Sequence, residues 1–501
     1  MELRHLKSGT DVRGTAVNPD DPKKIDLTDE AVKRISAAFV VFLAEKLGKK
    51  EEELVISVGH DSRISAERIK SDVIDALSFF GLEIKDCALA STPAMFMTTK
   101  MLGCDGAVQI TASHHPWDRN GLKFFTPDGG LSGDEIKSIL EYAEHESGSC
   151  PERLNLQEVD FMSVYCEHLC NMIRKGVKSD DYERPLKGLK IVVDAGNGVG
   201  GFYAEKVLSP LGADTTGSRY LEPDGMFPNH IPNPENETAM NSVREATLGA
   251  KADLGVIFDT DVDRGGCVSS DGREINRNAL VALAAVIALE SNPGGTVVTD
   301  SVTSAGLTEF IEKTLGGHHL RFKRGYKNVI DEAIRLEENG INAPLAIETS
   351  GHAAFRENYY LDDGAYLITK IIIKAADMKK QGKKLYDLIS ELKYPAEEKE
   401  IRLKISEEDF RAVGDRLLKE LADFAAKRED WQIAPDSHEG IKIIFPKTES
   451  FFILRQSVHD PVIPINFESA QNGGVKKAAS SLYEFIKDFD GVDISPLKQI
   501  L

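Results

Sequence analysis

Short apolar segments alternate with amphipathic ones as far as about Tyr394, and this alternation constrains the fold more than any other feature. Glu53–Val58 and Gly106–Ile110 are predicted strands, and Ala66–Phe80 is a predicted helix of the first unit. A similar series of strands and helices restarts at Lys190–Val193. Strands that alternate with helices along the chain predict parallel α/β layers with helices on their faces.

The pattern changes after Tyr394. Glu400–Ile405 alternates like an exposed strand, Phe410–Lys427 is a predicted helix, and short strands precede a last helix at Val475–Asp488. A chain of 501 residues is too long for one hydrophobic core. We therefore predict three related α/β domains and a C-terminal α+β domain, with bounds at 1–165, 166–272, 273–394 and 395–501.

Charge and apolar content exclude several classes of partner. The net charge is −20, from 61 basic and 81 acidic residues, which argues against binding to nucleic acid or an anionic membrane. The longest apolar run, Ala279–Leu289, is shorter than the about 20 residues that span a bilayer and predicts a buried helix. The N-terminus has no apolar signal core, and six scattered cysteines indicate a reducing compartment. We expect a cytoplasmic protein.

A serine follows the strand that ends at Ile110. Ser113 lies in the loop Thr111–Pro116 among small neighbours, so its hydroxyl can reach a substrate. The adjacent His114 is suited to handling a proton, and Lys123 to neutralising a phosphate. On local evidence alone, a polar surface loop explains these residues as well.

Three alternating aspartates follow the strand Leu254–Phe258. Asp259, Asp261 and Asp263 can converge on one hard divalent cation, and the adjacent Arg264 indicates an anion beside it. The segment lacks the glycine and distal glutamate of an EF-hand calcium loop. A solvated acidic turn is the alternative.

Two further loops carry polar residues of a kind that binds sugar phosphates. Glu348, Ser350 and His352 follow an apolar strand and offer acceptors and donors for vicinal hydroxyls. Arg455 and Ser457, two residues apart in the last domain, can hold a phosphate. Ordinary turns would also account for both loops.

Taken together, and in this order, the four loops resemble the α-D-phosphohexomutase superfamily, which includes phosphoglucomutase and phosphomannomutase. Other segments that resemble the family run from Gly9 towards Pro461 in the same order: Gly9–Gly14, Gly59–Arg63, Thr92–Ala94, Asp194–Gly198, Pro223–Pro228, Pro232–Glu235 and Gly325–Lys327. The resemblance implies four domains around a central cleft, in agreement with the organisation predicted above.

The resemblance also implies roles for individual residues. Ser113 would carry a phosphoryl group, and Asp259, Asp261 and Asp263 would hold Mg²⁺ together with an oxygen of the phosphoserine. Glu348 and Ser350 would bind the sugar hydroxyls. The remaining candidates for substrate binding, proton handling and phosphate neutralisation are Arg13, His114, Lys123, Arg264, Lys327, His352, Arg455, Ser457 and His459.

The implied reaction interconverts hexose 1-phosphate and hexose 6-phosphate, with glucose or mannose as the sugar. Phosphoserine and a 1,6-bisphosphate would be the intermediates, and glucose 1,6-bisphosphate or an equivalent would be the activator. Phosphoglucosamine mutase, a non-catalytic phosphosugar-binding homologue and a metal-dependent phosphatase are alternatives. The partner is a small phosphosugar in each case, and the sequence predicts no oligomeric state.

The chain departs from the family pattern most strongly in the last domain. The usual form is Arg-x-Ser-Gly-Thr-Glu-Pro with a second arginine three residues later, whereas this chain has Val458, His459, Asp460 and finally Pro464. A missing arginine removes a bidentate phosphate contact. We expect an altered distal phosphate site, with His459 as the candidate replacement. Smaller departures are His115, Thr260 and Ile347 in place of Asn, Gly and Gly.

Overall fold

The computed structural model describes residues 2–145, 155–407, 409–435, 437–457 and 461–501. The chain divides into two compact units. One comprises Met1–Ala288 with Ser350–Ser390, and the other comprises Leu289–Thr349 with Glu391–Leu501.

The first sheet of the first unit positions the serine loop. Its strand order is β1-β2-β6-β5-β3-β4-β8, with β7 beside β6; β3 runs parallel to β4 and β5, and β6 is antiparallel to β5. The strands are β1 (Lys7–Ser8), β2 (Asp11–Thr15), β3 (Val55–His60), β4 (Glu83–Leu89), β5 (Gly106–Ile110), β6 (Arg119–Thr126), β7 (Gly129–Gly130) and β8 (Leu156–Glu158).

Helices cover this sheet and bury its core. They are α1 (Asp29–Leu47), α2 (Ala66–Ser78), α3 (Thr92–Met101) and α4 (Gly133–His145). The α1 helix begins where Thr28 accepts a hydrogen bond from the Ala31 amide, and it ends at Gly48, whose φ of 64° is easily adopted by glycine. Phe39 of α1 stacks on Phe124 of β6, with ring centroids 4.5 Å apart.

A second sheet of this unit, in the order β12-β11-β10-β9, carries the aspartate loop. The β9 and β10 strands are parallel, and β10 forms an antiparallel hairpin with β11, so residues 259–264 connect two buried strands. The strands are β9 (Ile191–Asp194), β10 (Leu254–Phe258), β11 (Gly265–Ser269) and β12 (Glu274–Ile275). The helices are α5 (Phe161–Gly176), α6 (Glu237–Ala250) and α7 (Asn278–Glu290), with a π-helical turn at Tyr203–Leu208.

A hairpin and a helix from the later part of the chain complete this unit. The hairpin pairs β16 (Ala353–Phe355) with β17 (Leu361–Asp362), and α10 (Gly364–Lys380) follows it. The Gly364 amide donates to the Val262 carbonyl at 3.1 Å, so the start of α10 lies against the aspartate loop.

The second unit contains a parallel part and an antiparallel sheet. In the parallel part, β13 (Thr296–Thr299) lies between β14 (His318–Arg321) and β15 (Leu345–Ile347). The helices there are α8 (Ala305–Glu309), a π-helical turn at Phe310–Thr314, and α9 (Tyr326–Glu338).

The antiparallel sheet has the order β19-β20-β21-β22-β18-β23, and α11, α12 and α13 accompany it. Its elements are β18 (Glu397–Ile405), α11 (Phe410–Ala425), β19 (Gln432–Ile433), β20 (Ile441–Phe445), β21 (Ser450–Leu454), β22 (Val462–Ser469), α12 (Gly474–Ile486), β23 (Val492–Asp493) and α13 (Ser495–Lys498).

The predicted fold class, three α/β domains followed by an α+β domain, is confirmed. The bounds chosen for the four domains stay a prediction. Two helical segments depart from regular α-helix, because Tyr203–Leu208 and Phe310–Thr314 are π-helical turns. The Ser209 and Leu315 amides both donate to carbonyls five residues back, which widens the last turn.

The run Ala279–Leu289 forms part of the buried α7 helix, as predicted. In the part of the chain that the structure describes, no helix combines the length and the apolar character needed to cross a membrane.

A buried aspartate at the start of α10 makes stability depend on pH. Burial raises the pKa of Asp363 to about 7, although the Tyr366 amide and the Tyr165 hydroxyl donate to its carboxylate. Because this pKa exceeds the about 3.9 of an unfolded aspartate, the stabilisation from this proton is complete below pH 3.9 and is lost as the pH rises through 7. Asp363→Asn removes the titration.

The unsubstituted protein loses this stabilisation between pH 4 and pH 8, whereas the Asp363→Asn variant does not. The difference in unfolding free energy, variant minus unsubstituted protein, should therefore rise by up to about 4 kcal/mol over this range. Urea unfolding at a series of pH values measures this difference. Asp377→Asn, at an exposed position of the same helix, is the control and should show no such trend. Parallel curves for Asp363→Asn and the unsubstituted protein would contradict the expectation.

Candidate active site

Ser113 lies in a tight loop at the carboxyl end of β5. Its φ is 51°, in the left-handed region that non-glycine residues rarely occupy, and its amide donates to the Thr111 hydroxyl at 2.9 Å. The Ser113 hydroxyl lies 3.1 Å from Asp259 Oδ2 and 3.3 Å from His114 Nδ1. Strained backbone of this kind is concentrated at functional sites. The loop therefore presents the hydroxyl to the aspartate loop.

Arg63 holds the serine loop in this conformation. Its guanidinium donates to the carbonyls of four residues of the loop and of β6: Ser113, His115 (2.7 Å), Pro116 (2.5 Å) and Arg119 (3.0 Å). Asp61 accepts from Arg63 Nε at 3.1 Å and from the Thr111 hydroxyl at 2.7 Å. Sequence reasoning noted the Gly59–Arg63 segment but gave Arg63 no role. Arg63 follows β3 and Ser113 follows β5, and only the parallel pairing of these two strands brings the residues together. This pairing is not evident from the sequence.

The three aspartates of the β10–β11 loop converge as predicted. Asp259, Asp261 and Asp263 are fully buried, and each offers one oxygen to a group whose atoms all lie within 4.8 Å of one another. Val262 between them has a φ of 67°, a strained value for a β-branched residue. Thr92, at the start of α3, donates its hydroxyl to Asp261 Oδ2 and its amide to the Asp261 carbonyl.

The electrostatics of these aspartates indicate a site for a cation. Burial and the other two carboxylates raise the pKa of Asp259 well above its ordinary value. Burial and Asp263 also raise the pKa of Asp261, to about 6. Burial acts in the same direction on Asp263, but Lys123, His352 and Arg264 bring its pKa well below the ordinary value. Among the described residues, one oxygen each of Asp261 and Asp263 has no hydrogen-bond partner. Clustered carboxylates with unused oxygens fit a hard divalent cation.

Basic side chains surround the acidic cluster. Lys123 Nζ lies 2.5 Å from Asp263 Oδ2, with both side chains buried. Arg264 lies 3.8 Å from Asp259 and 3.4 Å from Glu235, and Arg13 is held by Asp11 at 2.8 Å. The charge of Arg13 acts on both Asp261 and Asp263.

The two histidines of the serine loop are held in their neutral forms. Burial, followed by the charge of Arg264, lowers the pKa of His114 far below its ordinary value. Burial and Arg13 lower that of His115 to about 3. A neutral imidazole 3.3 Å from the Ser113 hydroxyl can accept its proton.

The residues of the loop predicted to bind sugar divide between the two units, with Glu348 in the second and Ser350 and His352 in the first. In the first unit, the Ser350 hydroxyl is buried and has no hydrogen-bond partner among the described residues. His352 Nδ1 is hydrogen-bonded to Asp362 and lies 3.8 Å from Asp263 Oδ1. Sequence reasoning missed Asp362, because only the pairing of β16 with β17 brings it to His352. In the second unit, Glu348 Oε1 accepts the Gly325 amide at 2.6 Å.

The candidates for the distal phosphate site belong to the second unit. Arg455 donates to Asn466 Oδ1 at 2.8 Å and lies 3.8 Å from Glu439 Oε1. Lys327 pairs with Asp331 one turn further along α9. Ser457 follows β21, whereas His459 lies outside the described residues.

The structure thus brings the predicted catalytic and metal-binding residues together in the first unit: Ser113, His114, Lys123, Arg13, Asp259, Asp261 and Asp263. Arg264 and His352, which are predicted to bind substrate, lie beside them. The roles given to these residues, and to the candidates of the second unit, stay predictions.

Comparison with known proteins places this constellation in a family. Residues 5–148, 163–272 and 276–394 match phosphoglucomutase/phosphomannomutase alpha/beta/alpha domains I, II and III. A phosphoglucomutase/phosphomannomutase of Thermococcus kodakarensis is 32% identical over 450 residues, which cover 89% of this chain and 91% of the relative. A phosphoglucomutase of Neisseria gonorrhoeae is 28% identical over 90% and 91% of the two chains.

Among solved structures, a phosphoglucomutase/phosphomannomutase family protein of Burkholderia thailandensis superposes with a TM-score of 0.77. It is 25% identical and covers 97% of this chain and 98% of its own. Because three domains match in order and a relative above 30% identity aligns over most of both chains, this chain belongs to the phosphoglucomutase/phosphomannomutase family of phosphohexomutases.

Proposed function

We propose that the chain interconverts hexose 1-phosphate and hexose 6-phosphate, with glucose or mannose as the sugar. The observation that supports this best is the Ser113 hydroxyl, 3.1 Å from Asp259 in a buried cluster of three carboxylates. A serine beside a candidate cation site, with Lys123 and Arg264 around it, is suited to accepting and returning a phosphoryl group.

Each half of the proposed cycle transfers one phosphoryl group. Phosphorylated Ser113 donates its group to the free hydroxyl of the hexose monophosphate, giving a 1,6-bisphosphate. His114, whose neutral imidazole lies 3.3 Å from the Ser113 hydroxyl, would take the proton of the attacking hydroxyl and return it to Ser113 Oγ as the bond from that oxygen to phosphorus breaks. Lys123, beside Asp263, would neutralise charge on the phosphoryl group, and His352, on the other side of Asp263, would contact the substrate. The other phosphate of the bisphosphate then returns to Ser113. Glucose 1,6-bisphosphate would act as activator, because it phosphorylates Ser113 directly.

Other residues are proposed to hold the substrate. Glu348 and Ser350 bind the sugar hydroxyls; the buried Ser350 hydroxyl has its donor unused among the described residues. Arg455 and Ser457 bind the second phosphate, as the resemblance implies. The five described cysteines are buried free thiols, which is consistent with a reducing cytoplasm as the site of action.

Mg²⁺ is the cation proposed for the acidic cluster. Asp259, Asp261 and Asp263 would hold it together with an oxygen on Ser113, and the buried oxygens of Asp261 and Asp263 that lack a partner among the described residues suit a small hard ion. When bound, Mg²⁺ would withdraw negative charge from the phosphoryl oxygens.

Product analysis tests the reaction. Purified protein with Mg²⁺ and a trace of glucose 1,6-bisphosphate is incubated with the 1-phosphates of glucose, mannose or glucosamine, and the 6-phosphates are followed. We expect turnover of the glucose or mannose ester. A preference for the glucosamine ester would establish a phosphoglucosamine mutase instead. Accumulation of inorganic phosphate without a 6-phosphate would indicate a phosphatase. Binding without turnover of any ester would favour a non-catalytic homologue.

Asp261→Asn should weaken Mg²⁺ binding at least about tenfold, because it removes one of three charges that attract the cation. Isothermal titration of chelator-treated protein with MgCl₂ measures the change directly, without reference to activity. Asp271→Asn, in an exposed turn of the same domain, is the matched control and should bind Mg²⁺ normally. Equal affinity in the Asp261→Asn variant would exclude this residue as a ligand.

A further inference from the structure

The distal phosphate loop lacks the second arginine of the family pattern, because Pro464 occupies its position. We propose that Arg324, in the loop between β14 and α9, supplies the missing guanidinium and binds the distal phosphate together with Arg455. This inference rests on the proposed function, and it assigns the recognition of a phosphate monoester dianion to a residue from a different domain of the fold.

One carboxylate brings the two arginines to the same place. Glu439 Oε2 accepts the Arg324 amide at 3.1 Å and the Ser301 hydroxyl at 2.5 Å. The other oxygen of Glu439 lies 3.8 Å from Arg455 Nη1. Glu439 therefore connects three loops, which follow β13, β14 and β21. All three belong to the second unit.

Arg455 is only partly engaged by the residues that the structure describes. Its side chain is 6% exposed, Nη2 donates to Asn466 at 2.8 Å, and Nε has no partner among the described residues. At 3.8 Å, Glu439 is an ion-pair neighbour of Arg455 but is too far away for a hydrogen bond. A buried guanidinium with an unused donor is suited to an anionic oxygen.

The charges around Arg455 also indicate that Arg324 is near. Burial lowers the pKa of Arg455, Glu439 opposes this shift, and the positive charge of Arg324 adds to it. The same two arginines act on Asp300, whose pKa is raised by burial and lowered in part by Arg324 and Arg455. Arg455 is buried and Arg324 is half-buried. Two neighbouring guanidiniums that repel each other are stabilised by a doubly charged phosphate between them.

The position of Pro464 explains why a substitute is needed. The Pro464 carbonyl accepts the Arg455 amide at 3.0 Å, so an arginine at 464 would stand beside Arg455 on the neighbouring strand. Arg402 is the register partner of Pro464 on β18 and is the rival candidate. The Arg402 side chain is 62% exposed, whereas Arg324 is half-buried, which makes Arg402 the poorer choice.

The test combines removal with transfer of the arginine. Arg324→Ala should raise the KM for glucose 1-phosphate about tenfold to a hundredfold, with a much smaller change in kcat, because a charge-assisted bidentate contact is lost. The matched control Lys323→Ala removes an exposed charge one residue away and should behave as the unsubstituted protein. Adding Pro464→Arg to Arg324→Ala should recover most of the affinity. If Arg324 only supported the fold, Pro464→Arg would not recover the affinity.

Arg324→Ala keeps the hydrogen bond to Glu439, because that bond is donated by the main-chain amide. Calorimetric titration with inorganic phosphate separates this proposal from the proposed function. If no hexose phosphate is turned over but Arg324→Ala still weakens phosphate binding, the mutase assignment fails and the subsite holds. If the protein is an active mutase and Arg324→Ala leaves KM and phosphate affinity unchanged, or Arg402→Ala produces the loss instead, the subsite is overturned.

Discussion

Ser113→Ala is expected to abolish hexose phosphate turnover, with a fall in kcat of about 10⁴-fold or more, because the proposed phosphoryl acceptor is removed. The loop should keep its conformation, since the Ser113 amide and carbonyl make its contacts with Thr111 and Arg63. Labelling of the protein by glucose 1,6-[³²P]bisphosphate provides a second measurement. The label should be absent from the variant.

Ser138→Ala is a suitable control for this experiment. Ser138 lies on the exposed side of α4 and bonds only the Asp134 carbonyl among the described contacts, at 3.1 Å. We expect normal turnover and normal labelling. If Ser113→Ala still takes up label with the rate of the unsubstituted protein, the phosphoryl acceptor is another residue, and the proposed cycle is wrong.

Arg63→Ala is expected to have the second largest effect, on both stability and catalysis. It removes four hydrogen bonds to the serine loop and β6 and leaves the buried Asp61 without its ion-pair partner. Breaking a buried ion pair in this way costs about 3–5 kcal/mol. We also expect kcat to fall about a hundredfold or more, because a hydroxyl displaced by about 1 Å loses its alignment.

A double variant separates the two effects of Arg63. Asp61→Asn added to Arg63→Ala removes the unpaired charge and should recover part of the unfolding free energy, measured by urea denaturation. The four carbonyls would still lack their donor, so kcat should stay low. Arg34→Ala, which loses an ion pair with Glu30 on α1, is the control and should cost about 0.5 kcal/mol with no change in kcat. A parallel recovery of stability and kcat would refute the positioning role of Arg63.

The fold and the main site residues could be predicted from sequence because their signals are local. The periodicity of apolar residues identifies the alternating strands and helices. A reactive residue immediately after a buried strand lies at the carboxyl end of that strand, whichever strands are its neighbours in the sheet. Ser113 after β5 and Asp259 after β10 were therefore identifiable, and the order of the four loops indicated the family.

Other features were decided only by tertiary structure, because they depend on which strands become neighbours. Arg63 acts on the serine loop since β3 pairs with β5, and Asp362 reaches His352 since β17 pairs with β16. Arg324 and Arg455 are 131 positions apart and meet at Glu439. The sequence alone therefore determined the chemical groups of this protein and the strand ends that carry them. The three-dimensional pairing of strands decided which groups form hydrogen bonds, which form ion pairs and which shift one another's pKa. These interactions depend on distances in space rather than on separation along the chain.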